Sequence, residues 1–440
     1  MSSGDPHPQV WETIPLRYVC ELNPSVAFDG LDEDEDLTFL PMDRVKSGYF
    51  IPNTDKFSKY GSSYTAFEDG DIVLAKVTPC FENGNIAIAD DLAGGKGFGS
   101  SELFVIRPTA AERRFLFYYF QSSTFKQDGE ASMTGAGGLK RVSPDVLRQH
   151  HLPFPSHDVQ RLIADYLDRE TARIDGLIAE KERMLTLLEE KRAALISRVV
   201  TRGLDPNIPL KPSGQEWLGE IPAHWGLQRL KQLAEVRGGL TLGKQYSGDL
   251  LEYPYLRVAN VQDGYLKLDD VLTVEVPASE AASNLLAYGD VLMNEGGDID
   301  KLGRGCVWRD EISPCLHQNH VFAVRPHSVD SDWLALWTST LQAKRYFESR
   351  AKRSTNLASI SGSNIKELPV PLPPVSEQLA IQNFLAVRYS RLETLRGALR
   401  DSLRLLTERR AALITAAVTG QISLQEMDTK EPEPYREVAL

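Results

Sequence analysis

A chain of 440 residues is long enough for two to four domains, and 42% hydrophobic with 25% charged residues is an ordinary globular composition. No apolar run approaches the roughly 18 residues that a membrane-spanning helix needs. The formal net charge of −12 argues against indiscriminate nucleic-acid binding, but the charge is uneven: residues 1–100 hold 17 acidic against 7 basic residues, whereas 331–360 hold 5 basic against 2 acidic.

The amino terminus, MSSGDPHPQV, lacks the basic and apolar regions of a signal peptide. Cys20, Cys80, Cys306 and Cys315 form no CxxC pair. Free thiols and a cytoplasmic location are expected. Residues 1–157 read as a mixed α+β head. "DGDIVLAKV" and "ELFVIRP" carry strand signals, and "AERRFLFYYFQSS" is a short helix with Phe115, Tyr118 and Tyr119 on its core face.

Prolines 153 and 155 precede a long helix at 158–203. Its apolar seam is Ile163, Leu167, Ile174, Leu177, Leu185, Leu188, Leu195 and Val199. Spacings of 3, 4 and 7 predict a coiled coil. A junction at 204–225 combines turn residues with Trp217, Leu218, Ile221 and Trp225, so it should pin itself against helix ends or a head. Residues 226–375 repeat the strand pattern in "YPYLRVANV", "GDVLMN" and "HVFAVRP", followed by a helix in which Trp333, Leu336 and Trp337 form the core face. A second long helix at 376–420 has the seam Ile381, Leu385, Leu392, Leu395, Leu399, Leu403, Leu406 and Leu413. The polar, acidic tail 421–440 is expected to be disordered.

The second half of the chain is a copy of the first. "EEKRAALISRVVT" (189–201) matches "TERRAALITAAVT" (407–419), and "LFVIRP" (103–108) matches "VFAVRP" (321–326), both 218 positions apart. Trp11 and Leu16 face Trp225 and Leu230. Each copy is a mixed α/β head followed by one long helix. A helix with one apolar seam needs a partner, and a pseudo-two-fold relation would make the two helices antiparallel, with a head at each end of a rod.

Motifs of catalysis are incomplete. "GGLTLGKQ" (238–245) has Gly238, Gly243 and Lys244 of a phosphate loop, but Gln245 stands where a hydroxyl must hold the metal. "TPCF" (78–81) departs at Thr78 and Cys80 from the tetrapeptide that grips a flipped base, and "GGKGFG" (94–99) is too irregular for a cofactor loop. "CLHQNH" offers Cys315, His317 and His320, without a fourth ligand cluster. No catalytic and no metal residue is assigned, which favours binding and assembly. A coiled-coil scaffold without a DNA role and a fused DNA methyltransferase are the competing readings.

Two similar but non-identical heads suit a ligand with two separated sites, such as double-stranded DNA. Candidate contacts after the "GDI" and "GDV" strands are Lys76, Thr78 and Asn83 in the first head, and Asn294, Lys301 and Arg304 in the second. The segments ahead of the long helices add Lys126, Lys140 and Arg141, and Lys344, Arg345, Arg350, Lys352 and Arg353. Arg and Asn suit guanine and adenine edges, and Lys suits phosphates.

The order of a head, "PLPPVSEQLAI" entering a helix that ends "RRAALITAAVTG", and "KPSGQEWLGEIPAHW" before a second head resembles the specificity subunit of type I restriction-modification systems, over residues 10–422. The resemblance implies two target recognition domains, each reading half of a bipartite DNA site, and helices that set the spacing. It implies a non-catalytic subunit that assembles with two methylation subunits, which carry S-adenosylmethionine, and with restriction subunits that use ATP and Mg, in a bacterial or archaeal cytoplasm. The first copy departs from the pattern, with Asp158 and Val159 opposite Ser376 and Glu377, which puts its helix-entry turn in question.

Overall fold

The computed structural model describes residues 11–28, 32, 34–57, 64–136, 138–354 and 357–429. The chain divides into two compact units, Met1–Glu182 with Arg400–Leu440, and Arg183–Leu399. Each unit therefore holds one head and a part of both long helices.

In the first head, strands Cys20–Leu22, Leu103–Pro108, Ile72–Ala75 and Ile86–Ile88 lie side by side in that order, all antiparallel. The run Ile72–Ala75 is buried at every position because both faces of this sheet are covered. Ile72 and Leu74 enter one core with Phe104 and Ile106, while Val73 and Ala75 enter another with Val105. Period-two alternation separates the two sets. A second sheet, Thr54–Lys56, Asp36–Leu40, Lys96–Gly99 and Thr65–Glu68, contains one parallel pairing, between Asp36–Leu40 and Lys96–Gly99.

The second head repeats this order with Ala234–Arg237, Val321–Pro326, Val291–Asn294 and Gly305–Val307. Its smaller sheet is Leu272–Val276, Leu251–Leu256 and Leu316–His317, again with a single parallel pairing. Helix starts correspond too. Glu112 and Asp330, Ser122 and Thr340, and Ser143 and Ser361 each cap a helix through a side-chain oxygen, and each pair is 218 positions apart. Matching caps, two of the three with different side chains, confirm the duplication.

The long helices run His157–Arg202 and Val375–Val418. They start on the same device. Gln160, fully buried, donates Nε2–H to the Pro155 carbonyl (2.8 Å), and Gln378 donates to the Pro373 carbonyl (2.9 Å). The substituted first entry keeps this turn, with Val159 packing on the head's core where Glu377 accepts the Trp225 indole N–H at 3.1 Å.

Within the first unit Arg410 pairs with Asp175 (2.8 Å) and Arg169 donates to the Met427 carbonyl (3.3 Å). Within the second, Arg396 pairs with Glu189 (3.0 Å) and the Arg192 guanidinium lies over the Tyr389 ring. Later residues of one helix face earlier residues of the other, so the pairing is antiparallel in each unit. Ile163, Leu167 and Ile174, with Ile414, Ala417 and Val418, are buried in the first unit; Ile196, Val199 and Val200, with Ile381 and Leu385, are buried in the second. Leu406 is buried, and Leu177, Leu185, Leu188, Leu195, Leu392, Leu399, Leu403 and Leu413 are half-buried, as a seam between only two helices leaves them.

Two expectations are corrected. Leu395 is not a seam residue: it is 49% exposed. Arg396 takes the inward position, and one residue of offset turns a side chain about 100° around the helix. Nor is the whole tail without structure. Ser423 caps a turn of helix at Leu424–Met427, and Met427 is buried in the first head's core, with Ile422 and Leu424 packed against it. The apolar residues among the acids drive this; residues 430–440 lie outside the described residues.

The junction is a small hairpin, Leu210–Pro212 against Glu220–Pro222. Leu218, Ile221 and Trp225 are buried in the second unit's main core. Trp225 meets Trp333 edge-on (5.9 Å between centroids), and Trp217 packs on Trp337 (6.2 Å) and Tyr346 (5.3 Å).

Candidate nucleic-acid interface

Two sets of candidate residues about 60 positions apart in sequence converge in each head. In the first head the turn after Ile72–Ala75 meets a hairpin, Thr134–Ala136 with Leu139–Arg141. Val77 bridges Arg141, the Thr78 main-chain N–H donates to the Lys140 carbonyl (3.0 Å), and the Lys140 N–H donates to Thr78 Oγ1 (2.9 Å). In the second head Gly296–Gly297 pairs with Ala358–Ser359, which pairs in turn with Lys352–Arg353. Hairpin residues Thr134 and Lys352, and Arg141 and Ser359, are 218 positions apart, so this edge is one structural element used twice.

Its chemistry differs between the heads. The first hairpin, TGAGGLKR, is glycine-rich, and Gly135 and Gly138 take positive φ. It presents backbone and Lys140, which is exposed. Arg141 is exposed but clasped by Glu102 at 2.7 and 2.8 Å, which holds the Glu102 carboxyl below its ordinary range. Lys76 lies half-buried over the Phe104 ring, and Thr78 is half-buried behind a cis Thr78–Pro79 bond. Asn83 is exposed at the following turn. Lys126 is half-buried beside Gly84, and burial lowers its pKa.

In the second head Arg345, Arg350, Lys352 and Arg353 are exposed, with Arg350 lying over the Tyr346 ring. Lys344 is half-buried, 3.6 Å from Asp263, and Lys301 pairs with Asp298. Arg304 is half-buried. Asn294 is a correction. It is 1% exposed and its Nδ2–H donates to the Val261 carbonyl at 3.0 Å, so it braces a turn and cannot reach a ligand. The strand pattern "VLMN" predicts this inward aim, because Asn294 shares a face with Leu292, which is buried. Tyr49 and Tyr265, in matching Gly-Tyr turns, are 59% and 61% exposed and were not singled out from the sequence. The repeated Gly-Tyr was the available signal.

The incomplete motifs have structural places. Lys244 sits 3.5 Å from Glu280, and "GGKGFG" supplies strand Lys96–Gly99. His317 is fully buried with Nδ1 on the Val321 carbonyl (2.6 Å), and burial lowers its pKa. Cys315 is buried, which pushes its thiol up to about 12, and His320 pairs with Glu295. Among the described residues no three His, Cys, Asp or Glu side chains group as metal ligands, and no helix is long and apolar enough to cross a membrane.

The family described as the type I restriction modification DNA specificity domain matches residues 8–185 and again 222–400, one match per head. The EcoAI specificity subunit of Escherichia coli is 35% identical, covering 84% of this chain and 76% of its own. The EcoEI specificity subunit of the same species is 23% identical over 93% and 83%. A solved chain from work on complex assembly and conformational transition of the type I R-M system shares the fold, with a TM-score of 0.69, 19% identity and coverage of 94% and 99%. Doubled heads, doubled matches and paired long helices lead to one conclusion: the chain belongs to the family of type I restriction-modification specificity subunits, and its heads are DNA recognition domains.

Proposed function

We propose that each head reads one half of a bipartite, asymmetric site in double-stranded DNA through the edge formed by the strand turn and the hairpin. The observation that carries this reading is one backbone element present in both heads with different side chains at equivalent positions: Thr134 and Gly135 stand where Lys352 and Arg353 do, and Lys140 and Arg141 where Ala358 and Ser359 do. Like backbones deliver a probe to like depths in a groove, and unlike side chains read unlike bases. Lys140, Asn83, Arg345, Arg350, Lys352 and Arg353 are the exposed groups nearest this role.

The paired helices set the distance between half-sites. The subunit contributes specificity, not catalysis, and docks two methylation subunits and restriction subunits in a cytoplasmic complex. S-adenosylmethionine, ATP and Mg act on those partners. A chain of net charge −12 leaves much of the phosphate clamping to them.

Mapping methylated adenines genome-wide with and without the gene tests the reading. Loss of a split, asymmetric motif is expected, and an unchanged methylome refutes it. Exchanging residues 226–356 for another head should alter one half of the motif only. Shortening both helices by matched turns should alter only the gap.

A further inference from the structure

The two units differ at one place where their backbones correspond. In the first, helix Arg113–Tyr119 fills the space between its head and the long helix beside it. Phe117 and Tyr118 are buried, the Tyr118 hydroxyl donates to Asp168 (2.7 Å), and Arg114 reaches Asp165 (2.8 Å) and Asp168 (2.6 Å). An aromatic ring and a guanidinium thus close this space. In the second unit the residues 218 positions on from Arg114, Phe117, Tyr118, Asp165 and Asp168 are Asp332, Ala335, Leu336, Asn383 and Ala386. Ring, guanidinium and both helix carboxylates are gone, and these five residues line a cavity of about 700 Å³.

Leu266, Leu268, Val307 and Leu385 give the cavity an apolar lining, and two carboxylates have moved to its head side. Asp263 stands where Ser47 does in the matching Gly-Tyr turns. Glu311 stands where Leu92 does, since each follows an Asp of positive φ, Asp310 or Asp91. Asp263 is 3.6 Å from Lys344; Glu311 accepts the Arg309 main-chain N–H (2.8 Å) and pairs with no cation among the described residues. The Arg309 guanidinium is held by Asp332. Burial first, and then the charges of Glu311 and Asp263, push the Cys306 thiol of the lining up to about 12. On the helix side Tyr389 replaces Thr171. Its ring lies against the Arg192 guanidinium, and its buried hydroxyl has no hydrogen-bond partner among the described residues.

We propose that this cavity binds one small aromatic cation, a planar amine or amidine, in the second unit only. Its volume lies within the range of small-molecule sites. The closed twin shows which chemistry fills the shape, a ring with a cation beside it, and Asp263 and Glu311 supply the counter-charge. A protein partner that docks once on each copy would need the same opening in both units, and the first is shut. The lining comes from the second head and from both long helices, so an occupant ties that head to the helices beside it and stabilises the unit by linkage. This proposal is independent of how the heads read DNA.

The test titrates full-length protein with tryptamine and with indole-3-acetate, which carries the same ring and the opposite charge, by calorimetry. One tryptamine per chain is expected, bound at least about fivefold more tightly than indole-3-acetate. Leu336→Tyr combined with Ala386→Asp, which restores the ring and carboxylate of the twin, should abolish binding with the melting curve preserved. Glu311→Gln, at an exposed position that does not bear on folding, should weaken tryptamine about fivefold and leave indole-3-acetate unchanged. It decides the matter alone if the double variant unfolds. Equal affinity for the two probes, two tryptamines per chain, no binding at millimolar concentration, or indifference to Glu311→Gln overturns the proposal.

Discussion

The Asp71 carboxylate is gripped by the Arg107 guanidinium through two parallel bonds, Nε to Oδ1 and Nη2 to Oδ2, both 2.8 Å. Asp290 and Arg325 make the same grip at 2.8 and 2.7 Å. Each carboxylate is buried and also accepts the main-chain N–H three residues earlier, from Glu68 or Ala287. One charge pair thus closes the turn into a central strand and ties it to its neighbour in both heads. Arg107 is held firmly protonated by Asp71.

Removing one partner of such a pair leaves a buried charge uncompensated. Asp71→Ala should destabilise the first head by about 3 kcal/mol, and Asp290→Ala the second by a similar amount. Limited proteolysis and thermal melting with head-specific probes would check this; a loss of both heads from either single substitution would contradict it.

Gln160 and Gln378 hold the helix entries. Gln160→Ala removes the bond to Pro155 and also the one its Oε1 accepts from the Glu112 N–H (2.8 Å). A cost of about 1–3 kcal/mol is expected, measured by denaturant unfolding. Gln160→Glu should recover little, because the donor to Pro155 is lost.

Trp217 packs on the second head and not on a free linker. Trp217→Ala should therefore destabilise that unit by about 2–3 kcal/mol, below the range for a fully buried tryptophan because Trp217 is partly exposed. Amide exchange should rise over 331–350. Methylome mapping of this variant should show whether the junction also governs the geometry between half-sites or whether only the second head's recognition is lost.

Lys352→Ala and Arg353→Ala should each weaken DNA binding by the assembled complex across sequences and lower the salt slope by roughly one. Asn294→Ala should act on folding instead, since its amide is spent on the Val258–Val261 turn. Binding titrations at several salt concentrations, beside melting curves, distinguish the two outcomes.

His317 gives a pH dependence. Its Nδ1–H donates to Val321 and the ring is fully buried, so burial holds the folded pKa below the ordinary 6.5. Above that value both folded and unfolded forms are neutral and no penalty exists. As pH falls below about 6.5 the unfolded chain takes up a proton that the folded head resists, so stability drops until the lowered folded value is passed. His317→Leu should flatten this part of the profile in pH-dependent melting of the second unit.

Much was legible in the sequence because duplication writes its own alignment. Equal offsets predicted matching strands, helices and entries, and the matching caps at Ser122 and Thr340 follow that register. Seam spacing identified both long helices, since burial of an apolar stripe requires a helical period. The candidate interface was legible as residue types in two separate segments. Their convergence was not, because Thr78 and Lys140 meet through hydrogen bonds across 62 positions that no local pattern encodes.

Composition and periodicity by themselves determined the duplicated plan, the paired helices and the absence of an intact catalytic motif, because each depends on local propensity and repeated spacing. Tertiary structure alone decided that Leu395 leaves the seam and that Met427 enters a core. It also decided that Trp217 packs on Trp337 and Tyr346 in the second head, while the His150 ring packs on Tyr119 in the first. Those outcomes depend on what each side chain finds opposite it, and only the folded chain supplies that neighbour.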